Sequence, residues 1–423
     1  GEKTAESLLY DALWAGPLGG ALLEGIANRR HFHGNLGVAN AEPTAALKQV
    51  RGVKQAAKNT TTLHAVHNNT SIVYDDKLIL KLFRCVDEGR NPDLEISGFL
   101  MSKGFKYIPQ IAGSIEYRRG DGDPMTLAIL QKFIPNVGDG WEVAQAALDT
   151  YHKRVTRKRI GEQGGSLEIG ALLDLAEQEL PEEARELIGD FLDTVELIGR
   201  RTAELHLALG SGAEEPGFAP RPFTTLYQRS LYQGLRSAAG RVFYRLRNKL
   251  EELPEPVREQ VQRLVDAEQL MYQRFQSLAA SKIDALRTRV HGDYHLGQVL
   301  YTGDDVVIFD FEGQPDRPVL ERRLLFSPLV DVASMLRSFH YAAMSRYAQE
   351  DFAAAAPAAR FWVRWVSVAF LRCYLQTEGI AQYASHDRSS LQVLLELFLL
   401  EKAVRELGYE LDNRRDWLWI PLY

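Results

Sequence analysis

The chain has 423 residues, a formal net charge of −6, and ordinary fractions of hydrophobic (45%) and charged (25%) side chains. At roughly 150 residues per domain, this length predicts two or three structural units. The mildly acidic balance gives no general reason to bind nucleic acid or an anionic membrane. Two distant cysteines, Cys85 and Cys373, exclude a disulfide framework or a zinc pattern and favour a reducing cytoplasm. No signal-peptide pattern is visible, and the most apolar segments contain charges typical of buried helices.

The first third of the chain predicts a helix followed by a strand-rich region. Residues 4–30 carry leucines at roughly helical spacing, and residues 31–60 show no clear periodicity and are predicted to be irregular. Strands are predicted at 62–66, 71–74 and 78–83. A helix with Asp93 as its N-cap follows through Met101, and two more strands are predicted at 108–117 and 126–134. This order resembles the small lobe of a kinase.

The rest of the chain is predicted to be mainly helical. The basic stretch 151–167 is interpreted as a solvated loop, and helical patterns cover 168–209, 221–250, 254–287 and 328–412. Strand patterns return only at 300–301 and 306–309. The sequence therefore predicts an α+β, bilobal, eukaryotic-protein-kinase-like fold, with a β-rich small lobe joined to a helical large lobe near residues 133–139.

Two motifs carry the predicted chemistry. Residues 291–298 read His-Gly-Asp-Tyr-His-Leu-Gly-Gln, and residues 306–313 read Val-Val-Ile-Phe-Asp-Phe-Glu-Gly. Kinase-like enzymes use such a layout to hold magnesium and to activate a hydroxyl group. Asp293 can accept or orient the hydroxyl proton, whereas Gln298 and Asp310 offer oxygens to a magnesium ion. These residues predict a phosphotransferase.

A lysine in an apolar strand supports the same interpretation. Lys81 stands in the run Leu-Ile-Leu-Lys-Leu-Phe at 78–83, where a lone buried ammonium costs several kcal/mol unless it is paired. A nucleotide phosphate and Glu95 of the following helix are the predicted partners. The alternative is an edge-strand lysine that points to water.

The predicted nucleotide contacts extend to neighbouring strands. Asn69, Thr70 and Ser71 lack a glycine-rich signature, but they offer backbone N–H and hydroxyl donors to phosphate. Backbone groups near Gln131 and Phe133 are predicted to read the edge of adenine.

The motifs together resemble bacterial maltokinases. The resemblance rests on the two motifs above and extends over nearly the whole chain, including residues 80–84, 91–95, 136–141, 310–315, 327–338, 400–403 and 420–422. It implies ATP-dependent phosphorylation of maltose at its anomeric hydroxyl to give maltose 1-phosphate, for α-glucan synthesis. It also implies a fold related to aminoglycoside phosphotransferases, and trehalose synthase as a fused or associated partner. The implied domains are an N-terminal cap (1–60), a nucleotide-binding lobe (61–135) and a helical lobe (136–423).

The resemblance assigns roles to individual residues. Asp293 becomes the catalytic base, Gln298 and Asp310 the magnesium ligands, and Lys81 with Glu95 the phosphate-anchoring pair. Polar side chains of the C-terminal segment fall at helical intervals and are predicted, with one motif histidine, to bind the sugar. These residues are His295, Lys402, Glu406, Tyr409, Glu410, Asn413 and Arg414. Arg337 is predicted to brace the motif together with Asp331.

Two other functions remain open at this point. The chain could phosphorylate another small molecule, such as an aminoglycoside, although the mixed charges of the C-terminal segment argue against a cationic substrate. It could also be a catalytically silent pseudokinase that serves as an interaction domain. Pseudokinases usually lack the lysine, the base or the metal-binding Asp, and all three residue types are present here.

Overall fold

The computed structural model describes residues 18–63, 69–158, 166–280, 283–315, 317–347 and 352–423. The chain forms two compact units. Unit 1 contains Gly1–Asn136 and Ile308–Arg323, and unit 2 contains Val137–Val307 and Leu324–Tyr423. The first division falls within the predicted junction at 133–139. The segment Ile308–Arg323, which the sequence placed with the helical lobe, instead belongs to unit 1.

Unit 1 is built on a seven-stranded antiparallel sheet with the order β1-β2-β6-β7-β5-β4-β3. Its strands are β1 (His31–His33), β2 (Val38–Pro43), β3 (Thr60–Leu63), β4 (Asn69–Tyr74), β5 (Leu78–Phe83), β6 (Ile111–Arg118) and β7 (Met125–Lys132). The first helices in the chain also lie in this unit. They are α1 (Leu18–Ala27), α2 (Ala45–Lys48), α3 (Val53–Ala56) and α4 (Pro92–Ser102).

The predicted elements of unit 1 are largely present, with one clear error. Strand β5 and helix α4 are confirmed, and β4 begins at Asn69, two residues earlier than predicted. The prediction that residues 31–60 are irregular is wrong, because they form β1, β2, α2 and α3. Strand β2 pairs with β6, far away in sequence, and local periodicity cannot report such pairing. The predicted helix at 4–17 and the strand residues 64–66 lie outside the described residues.

The core of unit 1 explains which way Lys81 faces. Leu78 and Leu80 of β5 are fully buried in one cluster with Leu23 and Ile26 of α1. Burial of one such side chain contributes about 1.5–3 kcal/mol. Because side chains alternate along a strand, Lys81 lies on the opposite face of the sheet. That face also carries Phe83, which packs with side chains of helix α4.

Unit 2 is mainly helical. Its helices are α5 (Gly140–Lys158), α6 (Ile169–Ala176), α7 (Glu182–Ile188), α8 (Phe191–Leu209), α9 (Thr225–Lys249), α10 (Glu255–Asp266), α11 (Glu268–Ala280), α13 (Leu329–Tyr347), α14 (Phe352–Gln376), α15 (Ala381–Ala384), α16 (Arg388–Asn413) and α17 (Trp419–Leu422). The short helix α12 (Val319–Arg322) belongs to unit 1. Short strands form a sheet in the order β12-β11-β8 and a pair β10-β9. They are β8 (Gly138–Asp139), β9 (Arg221–Pro222), β10 (Leu286–Arg287), β11 (Val299–Tyr301) and β12 (Val306–Ile308).

The helical predictions for unit 2 are confirmed in outline, with shorter segments than expected. The predicted loop at 151–167 is wrong at its start, because α5 continues to Lys158, and residues 159–165 lie outside the described part. Lysine and arginine favour helices, so a basic composition did not by itself indicate a loop. Among the helices of the described residues, none is long and apolar enough to cross a membrane. Both cysteines are free thiols.

Candidate functional site

A buried charge cluster surrounds Lys81 in unit 1. The Lys81 ammonium contacts carboxylate oxygens of Asp310 and Glu312, and it lies 3.6 Å from Oδ2 of Asp93. Only 12% of the Lys81 side chain is exposed, so the alternative of an edge-strand lysine pointing to water is excluded. Burial acts against the ammonium, but attraction from Asp310, Asp93 and Glu312 outweighs it and raises the pKa of Lys81. Lys81 is therefore charged at neutral pH.

The helix partner of Lys81 differs from the prediction. Asn91, not Asp93, caps helix α4: its Oδ1 accepts a hydrogen bond from the backbone N–H of Asp93 at 2.8 Å. Pro92 occupies the first helical position, which it suits because it has no N–H to satisfy. Asp93 is thus released from capping and faces Lys81. Glu95, the predicted partner, instead forms a two-bond ion pair with Arg323, at 2.9 and 3.0 Å.

The three carboxyl groups of the cluster repel one another. Three carboxylates surround one ammonium, and burial raises the pKa of both Asp93 and Glu312 although Lys81 opposes this shift. Repulsion from Asp310 raises the pKa of each further. Glu312 was not predicted as a functional residue, although its position two residues after Asp310 was a usable signal. Raised pKa values mean that these carboxyl groups keep their protons more readily than exposed ones, and a cation bound beside them would relieve their mutual repulsion.

Asp310 has an unusual backbone conformation. Its φ of +69° lies in the left-handed region, which costs a non-glycine residue about 1–3 kcal/mol and persists only where neighbours impose it. The next residue, Phe311, donates its backbone N–H to Oδ1 of Asp93 at 3.2 Å. Asp93 therefore holds both the ammonium of Lys81 and the backbone that orients Asp310.

The predicted phosphate-binding residues of β4 lie beside this cluster. Asn69 donates from Nδ2 to Glu312 at 3.3 Å, and Ser71 lies opposite Lys81 in the register of β4 and β5. Thr70 is buried, and its hydroxyl accepts a hydrogen bond from Arg84 at 2.7 Å.

The predicted adenine-binding segment, Gln131 to Phe133, makes contacts within unit 1. Gln131 is buried in β7, opposite Ile79 of β5. The backbone N–H of Phe133 donates to the carbonyl of Lys77 at 2.9 Å. This amide is therefore already bonded within the unit, and a contact from Phe133 to adenine would have to use another backbone group.

In unit 2 the motif loop (residues 291–298) is held by one buried carboxylate. Asp331 of α13 accepts the backbone N–H groups of His291 at 2.7 Å and Gly292 at 2.9 Å. His206 of α8 lies 3.2 Å from the same carboxylate. These bonds outweigh the effect of burial and lower the pKa of Asp331. Asp331 therefore fixes the backbone that leads directly into Asp293.

The predicted base has a cationic neighbour. Oδ1 of Asp293 lies 3.7 Å from Nζ of Lys402 in helix α16, and both side chains are partly exposed. The structure thus brings a predicted sugar-binding residue to the predicted base. His295 caps the short 3-10 helix Leu296–Gln298, with Nδ1 accepting from the N–H of Gly297 at 3.1 Å. Gln298 ends that helix and donates its N–H to the carbonyl of His295 at 2.9 Å.

The remaining predicted sugar residues lie at the end of α16, where charges are paired. Glu406 binds Arg337 at 2.7 Å, so Arg337, predicted to brace the motif, contacts the C-terminal helix. Glu410 is almost fully buried and binds Arg414 through two bonds of 2.6 and 3.0 Å. Tyr409 is half exposed. The side chain of Asn413 donates to the carbonyl of Tyr409 at 2.9 Å.

Metal-ligating groups are sparse. Over the described ranges, no set of three or more His, Cys, Asp or Glu side chains is arranged to hold a metal ion. Three carboxylates of unit 1, those of Asp93, Asp310 and Glu312, instead surround the ammonium of Lys81. Magnesium in phosphotransferases keeps several water and phosphate ligands and needs only one or two carboxylates from the protein. Asp310 has the chemistry for that smaller role.

Comparison with known proteins supports a kinase-like chain. No protein-family model matches the sequence. It is 23% identical over 369 residues to a glucosamine kinase of Mycolicibacterium smegmatis (strain ATCC 700084 / mc(2)155), covering 87% of this chain and 79% of the relative. It is also 23% identical over 358 residues to a glucosamine kinase of Streptacidiphilus jiangxiensis, covering 84% of this chain and 69% of the relative.

A solved structure shares the fold. Glucosamine kinase in complex with glucosamine, ADP and inorganic phosphate superposes with a TM-score of 0.64 at 19% identity, covering 99% of this chain and 83% of that one. At this identity the likeness establishes the fold and not the substrate. The predicted α+β, kinase-like fold is confirmed.

Proposed function

We propose that this protein is an ATP-dependent sugar kinase. The charge cluster of Lys81, Asp93, Asp310 and Glu312 carries the proposal, because it combines a buried, charged lysine with three neighbouring carboxyl groups in unit 1. Phosphoryl transfer needs such an arrangement: a cation for phosphate oxygens and carboxylates for a metal ion. The similarity to two glucosamine kinases supports the kinase assignment independently.

In this proposal Lys81 binds the phosphates of ATP. The ammonium is already desolvated and held by carboxylates, so little orientational freedom remains to be lost when phosphate oxygens arrive. Asp93 keeps the side chain in place from helix α4. Asn69 and Ser71, beside the cluster in β4, are proposed as additional phosphate contacts, whereas the buried Thr70 hydroxyl contributes indirectly through Arg84.

Magnesium fits the donor chemistry. The carboxylate of Asp310 is a hard oxygen ligand, and a divalent cation beside it would relieve its repulsion with Asp93 and Glu312. We assign Asp310 the ligand role in unit 1, and the resemblance to maltokinases assigns a second ligand role to the amide oxygen of Gln298. A bound magnesium ion neutralises charge on the phosphate oxygens.

Asp293 is the proposed general base. The motif loop holds it next to Lys402, and its carboxylate can accept or orient the proton of the acceptor hydroxyl. Asp331 acts through the loop backbone and positions Asp293 without contacting substrate.

We propose maltose as the acceptor, phosphorylated at its anomeric hydroxyl. The motif resemblance supports this choice, and it implies a role in α-glucan synthesis, trehalose synthase as a partner, and a cytoplasmic location. The structure adds a charge argument for a neutral sugar. Lys402 lies beside Asp293, and the acids Glu406 and Glu410 are paired with arginines. An acceptor that carries an ammonium group would be repelled by Lys402 beside Asp293. Glu406 and Glu410 would offer it little attraction, because each is already paired with an arginine.

Glucosamine is the second candidate acceptor. It is favoured by the names of the two relatives and by the solved complex that contains glucosamine. An aminoglycoside acceptor meets the same electrostatic objection as glucosamine and has no comparable support. A pseudokinase is disfavoured because Lys81, Asp293 and Asp310 are all present and Lys81 is charged and buried.

A coupled ADP-release assay with MgATP tests the proposal. The panel contains maltose, glucosamine, glucose, trehalose, maltotriose, kanamycin and no acceptor. Release with maltose, giving an acid-labile anomeric phosphate, is the expected result. Release with glucosamine alone would retain the sugar kinase and refute maltose. No release with any sugar from a folded sample would refute the sugar kinase.

A further inference from the structure

Helix α4 holds the 308–323 segment (Ile308–Arg323) at both of its ends. At the start of the segment, Asp93 accepts the backbone N–H of Phe311 at 3.2 Å. At its end, Arg323 forms two bonds with Glu95 at 2.9 and 3.0 Å. Asp93 and Glu95 both belong to the first turn of α4. A single helical turn therefore fixes two points that are twelve residues apart in the segment.

The neighbouring arginine closes the segment on itself. Arg322 donates from Nη1 to the carbonyl of Glu312 at 3.2 Å and from Nη2 to Asp87 at 3.3 Å. The Arg322 side chain is only 9% exposed, whereas that of Asp87 is 60% exposed, so the bond to the Glu312 carbonyl is the better shielded of the two. Arg322 thus ties the end of the segment to its backbone at Glu312. The ion pair of Glu95 and Arg323 attaches this end to helix α4.

This attachment bears directly on Asp310. Its left-handed backbone persists only if the surrounding structure imposes it, and Phe311 and Glu312, the two residues that follow it, are both bonded within the attached segment. Release of the far end would let the segment relax from α4 and would free the backbone of Asp310 to adopt a commoner conformation. Its carboxylate would then leave the position it holds beside Lys81.

We propose that Glu95 and Arg323 are a positioning pair that holds Asp310 in the geometry needed to bind magnesium and nucleotide together. This inference rests on the proposed function of Asp310. Both residues act through the attachment of the 308–323 segment to helix α4. The structure thereby gives Glu95 a function different from the predicted pairing with Lys81.

The test measures ADP affinity by calorimetry, once with magnesium and once with EDTA. Arg323→Gln and Glu95→Gln should each weaken MgADP binding roughly ten- to hundredfold, as expected when a binding group is displaced by about 1 Å. ADP binding in EDTA should change less than twofold, because Asp310 then has no metal to hold. Arg323→Lys should fall between the wild type and Arg323→Gln, since lysine keeps the charge but loses the two-bond geometry.

Two further variants separate positioning from simple stability. The exchange Glu95→Arg with Arg323→Glu should restore part of the lost magnesium-dependent affinity. Glu42→Gln is the control, because it breaks the ion pair with Arg29 at 3.2 Å in the same unit, and neither residue belongs to helix α4 or to the 308–323 segment. It should leave MgADP binding within twofold of the wild type.

The outcomes distinguish the two proposals. A wild type that binds no MgADP overturns the proposed function and this inference with it. A wild type that binds MgADP, with Arg323→Gln and Glu95→Gln unchanged, overturns the positioning role alone. Equal losses with magnesium and with EDTA, or an equal loss in Glu42→Gln, also overturn it, because such losses indicate general destabilisation of unit 1.

Discussion

Replacement of Asp331 by asparagine tests how the motif loop is held. The carboxylate is fully buried, and its two oxygens accept the N–H groups of Gly292 and His291. Asparagine keeps the shape but has one oxygen, so one of the backbone N–H groups must face an NH2 donor. A buried donor left unsatisfied costs about 1–3 kcal/mol, and a lost bond to a charged group costs about 1.5–3 kcal/mol. We expect a total loss of about 2–4 kcal/mol.

The assay combines thermal unfolding with kinetics. The expected loss corresponds to a lower unfolding midpoint by roughly 4–10 °C. Because Asp293 directly follows the anchored residues, displacement by about 1 Å should lower kcat about 100-fold while the KM for ATP changes little. Asp412→Asn is the control: its partners Arg245 and Lys249 are partly exposed, so its loss should be below about 1 kcal/mol.

The pKa of Asp331 predicts how the stability of the fold depends on pH. The folded-state pKa of Asp331 is lowered by its hydrogen bond and charge interaction with His206, by His291 and by the N–H of Gly292, against the effect of burial. A lowered pKa means that the ionised carboxylate stabilises the fold above about pH 4, the unfolded value, and that this contribution is lost as pH falls through the folded pKa. Asp331→Asn should remove that acid sensitivity. An unfolding midpoint within 1 °C of the wild type and an unchanged kcat would refute the reasoning.

Three other changes have distinct expected outcomes. Asp293→Asn should lower kcat by at least about 100-fold and leave the unfolding midpoint unchanged, as measured by ADP release and scanning fluorimetry; an unchanged rate would remove Asp293 as the base. Lys81→Met should lower the free energy of unfolding by about 3–5 kcal/mol, measured in urea, and should weaken ATP binding, because three carboxylates lose their cation. A variant that loses only affinity for the acceptor would contradict the proposed role of Lys81. Leu80→Ala should lower the free energy of unfolding by about 2–5 kcal/mol and leave ATP affinity unchanged, since this fully buried side chain lies on the sheet face opposite Lys81. Loss of ATP binding without loss of stability would show that the two faces of the sheet are not separate in function.

Local sequence patterns predicted the elements that depend on local rules. Strand β5 was predicted from its apolar run, and Lys81 was recognised because a charge in such a run requires partners. The error over Asp93 was avoidable: a proline at the first helical position marks the residue before it, Asn91, as the cap. Once Asn91 is the cap, Asp93 is free to approach Lys81.

Non-local contacts account for what the sequence could not provide. Strand β2 is stabilised by β6, about seventy residues later by sequence number, so its own weak pattern gave no signal. The partner of Glu95 is Arg323, more than two hundred residues away, and no spacing rule connects them. The end of α16 illustrates the same limit. Helical spacing grouped Lys402, Glu406 and Asn413, but only the structure shows that Glu406 is neutralised by Arg337 while Lys402 reaches Asp293.

The charge balance of the two units connects these findings to substrate choice. In unit 1 three carboxyl groups surround the single ammonium of Lys81, and a cation such as magnesium would relieve their mutual repulsion. In unit 2 the proposed base Asp293 already has Lys402 beside it, so its negative charge is partly compensated. A base without such a neighbour would attract amino sugars through their ammonium groups. With Lys402 present, that attraction is reduced, and selection among sugars must depend on hydrogen bonds and shape. Replacement of Lys402 should consequently alter the discrimination between maltose and glucosamine more than it alters the use of ATP.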